Sequence, residues 1–181
     1  MVIGITGTLG AGKGAVVAYL VREKGFTHYS ARAFFAEEME SLGMLINRDN
    51  MVVFANNLRE KYGPGYVFEQ LYAKAKKSTG DSVIESIRTV GEAEALKAQG
   101  GILLAIDADQ ESRYARIHGR GSALDQVTFS EFQEQGAREM NSDDPNKQNI
   151  ARVMEMADFT IVNNGTLTNL HQAVENIFKK V

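Results

Sequence analysis

The sequence predicts an α/β protein, a three-layer fold with a five-stranded parallel sheet at its centre. Three observations carry this prediction. Short apolar runs alternate with longer helical stretches along the chain, the pattern of repeated strand–helix units. The first apolar run passes through a glycine-rich stretch straight into a helix. Only two prolines, Pro64 and Pro145, occur in 181 residues, and no repeat, low-complexity segment or linker divides the chain. Residues 1–181 therefore read as a single domain, long enough to bury a sizeable core.

The first strand, near 2–6, is the run Val2-Ile3-Gly4-Ile5-Thr6. Gly7-Thr8-Leu9-Gly10-Ala11-Gly12-Lys13-Gly14 follows, and a helix spans about 12–23. Strand, glycine-rich loop and helix form the context in which G-x-x-x-x-G-K cradles phosphate. Glycines let successive backbone N–H groups turn inward, and the new helix points its positive end at the same spot. Lys13 adds a full positive charge for the outer phosphates, so ATP is the expected ligand. The usual motif follows its lysine with Ser or Thr, whose hydroxyl helps hold Mg²⁺. Here Gly14 and Ala15 follow, and that hydroxyl is missing.

The second strand, near 27–29, leads into Ser30-Ala31-Arg32. Helices near 31–43, 49–61 and 65–77 come before the next strand. An insert of roughly fifty residues, 31–78, is far longer than a minimal crossover and predicts a helical segment covering the substrate. Its Arg32, Arg48 and Arg59 are candidate anion clamps, with Ser30 beside them, because a guanidinium grips phosphate with a planar fork. Each also fits a solvated helix face, the better reading for Arg59. Phe34, Phe35, Met39, Met44, Met51 and Phe54 read as core before they read as a base pocket.

The third strand, near 82–85, ends in Glu85, with Arg88 three residues on. A carboxylate ending an apolar strand is suited to holding Mg²⁺ or its water shell, or to orienting the attacking group. Arg88 is placed to clamp the acceptor's phosphate. Glu92 and Glu94, on a helix near 91–98, read as solvated surface. The fourth strand, near 102–106, is followed by Asp107 and by Asp109, a candidate cap for the helix near 110–119. Arg113, Arg116 and Arg120 share one face of that helix, as a short lid over ATP phosphates at 113–126 would require. A basic solvated face is the plainer alternative.

Helices near 128–139 and 146–156 precede the fifth strand, near 159–162, and Asn163-Asn164-Gly165-Thr166. Asn163 and Gly165 are candidate adenine contacts through their backbone; the segment reads equally well as a turn with Thr166 capping the last helix, near 167–179. The three histidines, His28, His118 and His171, have no metal-ligand spacing.

Bulk composition excludes several classes. A net charge of −3 gives no global basic footprint for nucleic acid. Cysteine is absent, so neither disulfides nor thiolate chemistry is available. No apolar run approaches a membrane span and no basic leader precedes the first strand, so a cytoplasmic protein is expected.

Taken in order, Gly7–Gly14, Glu85-Ser86-Ile87-Arg88, Arg113-x-x-Arg116-x-x-x-Arg120 and Ala157–Gly165 resemble the P-loop nucleoside monophosphate kinase group. Within it, the chain is most similar to adenylate-kinase-related and dephospho-CoA-kinase-like proteins. The resemblance implies a three-layer P-loop NTPase fold in which ATP is bound with Mg²⁺. Its γ-phosphate would pass to a small phosphate-bearing acceptor, a (deoxy)nucleoside monophosphate, held by arginines of the insert and Arg88. Lys13, Arg88, Arg116 and Arg120 would carry transition-state charge, with Glu85 toward the metal. Two rivals stand beside this. Dephospho-CoA kinases carry an Asp just after strand two, where this chain has Ser30-Ala31-Arg32. Gly14-Ala15 also fits an ATP-binding sensor with weak catalysis.

Overall fold

The computed structural model describes residues 1–119 and 127–181, apart from the side chain of Arg48. Arg120 and the rest of the expected lid up to 126 lie outside the described residues. Strand β1 (Val2–Gly7) is central, flanked by β3 (Ser82–Glu85) and β4 (Ile102–Asp107). β2 (Thr27–Ser30) and β5 (Phe159–Val162) form the edges, giving the order β2-β3-β1-β4-β5. Every pairing is parallel. Parallel strands are covered on both faces and therefore read as continuous apolar runs. Ile3, Ile5, Val83, Ile84, Leu103 and Leu104 are accordingly buried.

Helices α1 (Lys13–Lys24) and α9 (Leu167–Phe178) cover one face, where Val16, Leu20, Leu170 and Val174 pack on Ile5, Val83 and Ile106. On the other face lie the three helices of the 31–78 segment, α2 (Ala31–Ser41), α3 (Arg48–Tyr62) and α4 (Tyr66–Ala75), with α5 (Val90–Ala98) and α8 (Ile150–Glu155). Phe34, Phe68, Ile84, Leu96 and Val153 join them in a second core. Helix α6 (Gln110–His118) meets α7 (Phe129–Met140) through the rings of Tyr114 and Phe132, whose centroids are 5.6 Å apart.

Local chemistry sets the helix ends. Ser30 caps α2 by accepting from Ala33 N, and Asp109 caps α6 by accepting from Ser112 N. Reciprocal capping boxes start α5 at Thr89, α7 at Thr128 and α9 at Thr166. Among the described residues no helix is long and apolar enough to cross a membrane.

Register gathers the functional candidates. Glu85 pairs with Ile5 of β1 on one side and Ser30 of β2 on the other. Gly7 pairs with Ile106 and Asp107 with Val162. The loop after β1, the ends of β2 and β3 and the turn after β5 therefore share the carboxyl edge of the sheet, where open α/β sheets place their ligands.

Candidate functional site

The glycine-rich loop has the geometry of an anion cradle. Gly10 and Gly12 have φ of 81° and 104°, values that side chains rarely adopt. A Cβ on Gly10 would sit 2.5 Å from the carbonyl oxygen of Arg113, and one on Gly12 would sit 2.4 Å from Asn163 Nδ2. Both positions therefore require glycine. Among the described residues, the N–H groups of Gly10, Gly12 and Gly14 donate to no protein acceptor. They lie at the positive end of α1, where an anion satisfies them.

The loop's carbonyls are bound from outside. Lys13 Nζ folds back onto the oxygens of Gly7 (2.9 Å) and Thr8 (2.8 Å). Arg113 Nη1 donates to Leu9 O (3.3 Å) and its Nε to Ala108 O (2.9 Å). Asn163 Nδ2 donates to Ala11 O (2.8 Å), and Arg116 Nη2 donates to Asn163 O (2.7 Å). Thr8 Oγ1 donates to Asp107 at 2.6 Å, joining the loop to the end of β4. Carbonyls held this way leave the amide dipoles facing inward. Asn163, named in the sequence as an adenine contact, is buried beneath the loop as a brace. Gly165 lies in the turn that Thr166 closes as the cap of α9.

A cavity of about 660 Å³ opens from this cradle. Lys13 and Gly14 line one end; Ser30, Arg32, Phe35 and Met51 line the side toward the insert; Glu85, Ser86 and Arg88 come from the end of β3. Arg32 is exposed and forms no ion pair with a described residue. Of the expected core residues, Phe34, Phe35, Met39 and Phe54 are buried, whereas Met44 is exposed and Met51 half-buried at the cavity wall. Arg48 opens α3, and its side chain lies outside the described set.

Glu85 is partnered. His28 Nε2 lies 3.1 Å from Glu85 Oε2. The two residues are diagonal neighbours on one face of adjacent strands, within reach of a long side chain. This hydrogen bond is the main cause that holds the Glu85 carboxyl below its usual range, against the upward push of burial; Lys13 and Arg88 assist. His28 is thus tied to the site rather than scattered, a contact only the β2–β3 register makes visible. Next to Glu85, Ser86 has φ 74°, and the N–H groups of Ser86 and Ile87 both donate to Ile5 O at 3.0 Å. That kink turns the chain so that Ser86 and Arg88 reach the cavity.

Two expectations are corrected. Glu92 is not solvated surface: it is 1% exposed, because Arg59 is buried against it. Arg59 Nε and Nη2 each lie 2.9 Å from Glu92 Oε1, so Arg59 is not on a solvated face; it is held by Glu92 while lining the cavity. Sequence reasoning also missed Glu139 and Gln148, which enter the cavity from α7 and the approach to α8. Arg88 Nη1 donates to Glu139 Oε2 (2.9 Å) and Gln148 Oε1 (2.7 Å). Nothing local to α7 signals this, since Glu139 stands in a largely polar stretch of a helix that alternates exposed and partly buried positions.

The cradle fits a nucleotide's phosphates on the evidence of its glycines and inward N–H groups. For Mg²⁺, Glu85 lines the cavity beside the loop and Asp107 is engaged by Thr8 Oγ1; among the described residues no cluster of three acidic, His or Cys ligands exists. Mg²⁺ commonly rests on one carboxylate, waters and substrate phosphates, so the site suits a metal that arrives with its nucleotide.

Strand order, cradle and cleft define a three-layer P-loop fold of the kinase-like kind. The chain belongs to the AAA_18 family, whose model, described as an AAA domain, matches residues 3–157. It is 31% identical to UPF0200 protein MMP1282 of Methanococcus maripaludis over 99% of this chain and 96% of that protein. It is 29% identical to UPF0200 protein PH1008 of Pyrococcus horikoshii, covering 100% and 97%. Among solved structures, TT1252 from Thermus thermophilus matches with a TM-score of 0.67 at 20% identity, covering 100% of this chain and 97% of that one. Shikimate kinase from Acinetobacter baumannii matches with 0.60 at 19%, covering 99% and 93%. Deoxyadenosine kinase from M. mycoides matches with 0.59 at 10%, covering 99% and 100%. At these identities the structural likenesses show the fold alone.

Proposed function

We propose that the protein is an ATP-dependent phosphotransferase that moves the γ-phosphate of ATP, with Mg²⁺, to a small nucleotide, a (deoxy)nucleoside monophosphate. One observation carries this reading. Lys13 and Gly14 of the phosphate cradle line the same cavity as Arg32 and Arg88, with the apolar side chains of Phe35, Met51 and Val52 also on its wall. That is a place for a donor phosphate, an acceptor phosphate and a flat ring.

The chemistry asks little beyond placement and charge. ATP supplies the phosphoryl group, and an acceptor phosphate is already a nucleophile, so positioning and charge neutralisation dominate. Lys13 releases its two backbone carbonyls and turns to the outer phosphates. Arg116, held on the outer side of the loop by Ala11 O and Asn163 O, releases these carbonyls in this reading to meet the charge that develops. Arg120 is assigned the same charge-neutralising role in this reading, and Arg113 steadies the loop. Arg88 and Arg32 orient the acceptor, Ser30 borders it, and Glu85 faces the metal's water shell. Residues 31–78 serve as the acceptor cover and 113–126 as the lid. The cytoplasm, where such nucleotides are found, is the proposed location.

A second reading rests on Gly14 and Ala15. With no hydroxyl at either position, the site also suits an ATP-binding sensor with slow turnover. Mg-ATP with a panel of ribo- and deoxyribonucleoside monophosphates and dephospho-CoA separates the readings. ADP formation stimulated by a nucleotide supports the kinase. Stimulation by dephospho-CoA alone replaces the acceptor, and tight ATP binding with no stimulation favours the sensor.

A further inference from the structure

Arg88 is the arginine best placed to grip an acceptor's phosphate, yet a carboxylate already occupies it. Glu139 Oε2 lies 2.9 Å from Arg88 Nη1, and the two side chains are only 15% and 24% exposed. Gln148 Oε1 lies 2.7 Å from the same nitrogen. The backbone tightens the arrangement, since Asn149 N donates to Arg88 O at 2.9 Å. All three side chains line the cavity. Half-buried opposite charges attract strongly, and a guanidinium prefers a two-oxygen anion. Arg32 also lines the cavity, is exposed and carries no ion pair with a described residue.

We propose that Glu139 is a built-in stand-in for the acceptor's phosphate: it pairs with Arg88 while the site is empty and must be displaced before a ligand's phosphate can take that arginine. The inference rests on the acceptor reading of this cavity given above. A neutral acceptor offers Arg88 no counter-charge and leaves the Arg88–Glu139 pair closed. A phosphate dianion first meets Arg32, then competes with Glu139 for Arg88. Two acceptor oxygens replace the Glu139 and Gln148 contacts on the guanidinium. Glu139 must then withdraw, because a carboxylate beside a bound phosphate is repelled. Glu139 thus weakens the binding of phosphate-bearing ligands, which must displace it from Arg88, and leaves neutral ligands, which do not, nearly unaffected. Glu139 is a positioning residue here, acting through Arg88.

The test is calorimetric titration of the whole chain, wild type, Glu139→Gln, Glu139→Ala and Arg88→Gln/Glu139→Gln, each checked for an unchanged thermal melt. The probes are inorganic phosphate, AMP and CMP, with adenosine and cytidine as neutral counterparts. Removing one like charge from a half-buried anion site predicts phosphate and nucleotide binding about tenfold tighter in Glu139→Gln, since the remaining amide no longer repels. Nucleoside affinity is expected to gain less, and the gain is expected to vanish in the double variant. Equal or weaker phosphate binding in Glu139→Gln, with the fold intact, overturns the proposal and makes Glu139 a brace or a direct acceptor ligand. A gain that survives loss of Arg88 overturns it as well. The phosphate arm needs no turnover and no nucleotide. Tightened phosphate with no nucleotide bound would leave the gate standing and remove the nucleotide reading. Nucleotide turnover without any Glu139 effect would do the reverse.

Discussion

Arg59 and Glu92 form a fully buried ion pair, with both Arg59 Nε and Nη2 at 2.9 Å from Glu92 Oε1. The other oxygen, Oε2, accepts from Arg88 N at 2.7 Å and Thr89 N at 3.3 Å. One carboxylate thereby joins helix α3 of the insert to the segment that carries Arg88. Thr89 Oγ1 adds a bond to Pro64 O at 2.7 Å, fastening the α3–α4 turn to the same place.

Breaking that pair from one side leaves a buried charge without a partner. Glu92→Gln is expected to cost about 3–5 kcal/mol in urea unfolding, because it leaves the buried Arg59 charge without its partner. Arg59→Met with Glu92→Leu is expected to recover most of that loss, since apolar replacements of a buried pair are often tolerated. A Glu92→Gln protein within about 1 kcal/mol of wild type would contradict the assignment.

The loop separates glycines that are required from one that is not. Gly10→Ala drives a Cβ to 2.5 Å from a backbone oxygen, and Gly12→Ala to 2.4 Å from Asn163. Each is expected to lower stability by about 1–3 kcal/mol and to abolish saturable ATP binding, read by calorimetry. A Cβ on Gly14 meets nothing within 4 Å, and Gly14 lies in the first turn of α1. Gly14→Ala is therefore expected to fold, with stability raised by about 0.5 kcal/mol.

Metal positioning limits turnover if the missing hydroxyl matters. Ala15→Thr is expected to raise kcat about threefold or more and to lower the Mg²⁺ concentration needed for half-maximal rate, the change a metal-side hydroxyl brings. Unchanged kinetics in both quantities would show that the cleft holds its metal another way.

His28 holds Glu85 ionised. A carboxyl depressed on folding contributes stability that is fully present above its ordinary value of 4.5 and is lost as pH falls through the lower folded value. Removing the main downward influence, as in His28→Ala, leaves burial to push Glu85 up. The acid limb of the stability curve is expected to move to higher pH, and the Glu85 carboxyl resonance to titrate at higher pH than in wild type. An unmoved Glu85 titration would show that Lys13 and Arg88 hold it instead.

Much of this was legible in the chain. Val2–Gly7, the loop and α1 announce themselves because strand, glycines and lysine are contiguous, and the fold follows from a strict alternation of apolar runs with helices. Ser30, Glu85 and Asp107 could be placed because each ends an apolar run, and parallel sheets bring such ends together. The rest depends on contacts between distant segments. Glu92 reads as surface because it sits in a polar helix start, and only α3 packing on α5 buries it with Arg59. His28 meets Glu85 through strand register. Glu139 reaches Arg88 across 51 residues, and no local pattern around either residue carries that information.

The central claim is that the cradle and the arginines Arg32 and Arg88, which line one cavity, work together to transfer phosphate. The most direct measurement is ADP formation from Mg-ATP with the nucleoside monophosphate panel, using wild type beside Lys13→Met and Arg88→Gln. Stimulation of wild type by at least one nucleotide is predicted, with turnover lost by about a hundredfold or more in Lys13→Met. In Arg88→Gln the acceptor's KM is expected to rise at least about tenfold, with ATP binding retained. Wild-type ADP formation that no acceptor raises above the background rate would contradict the account.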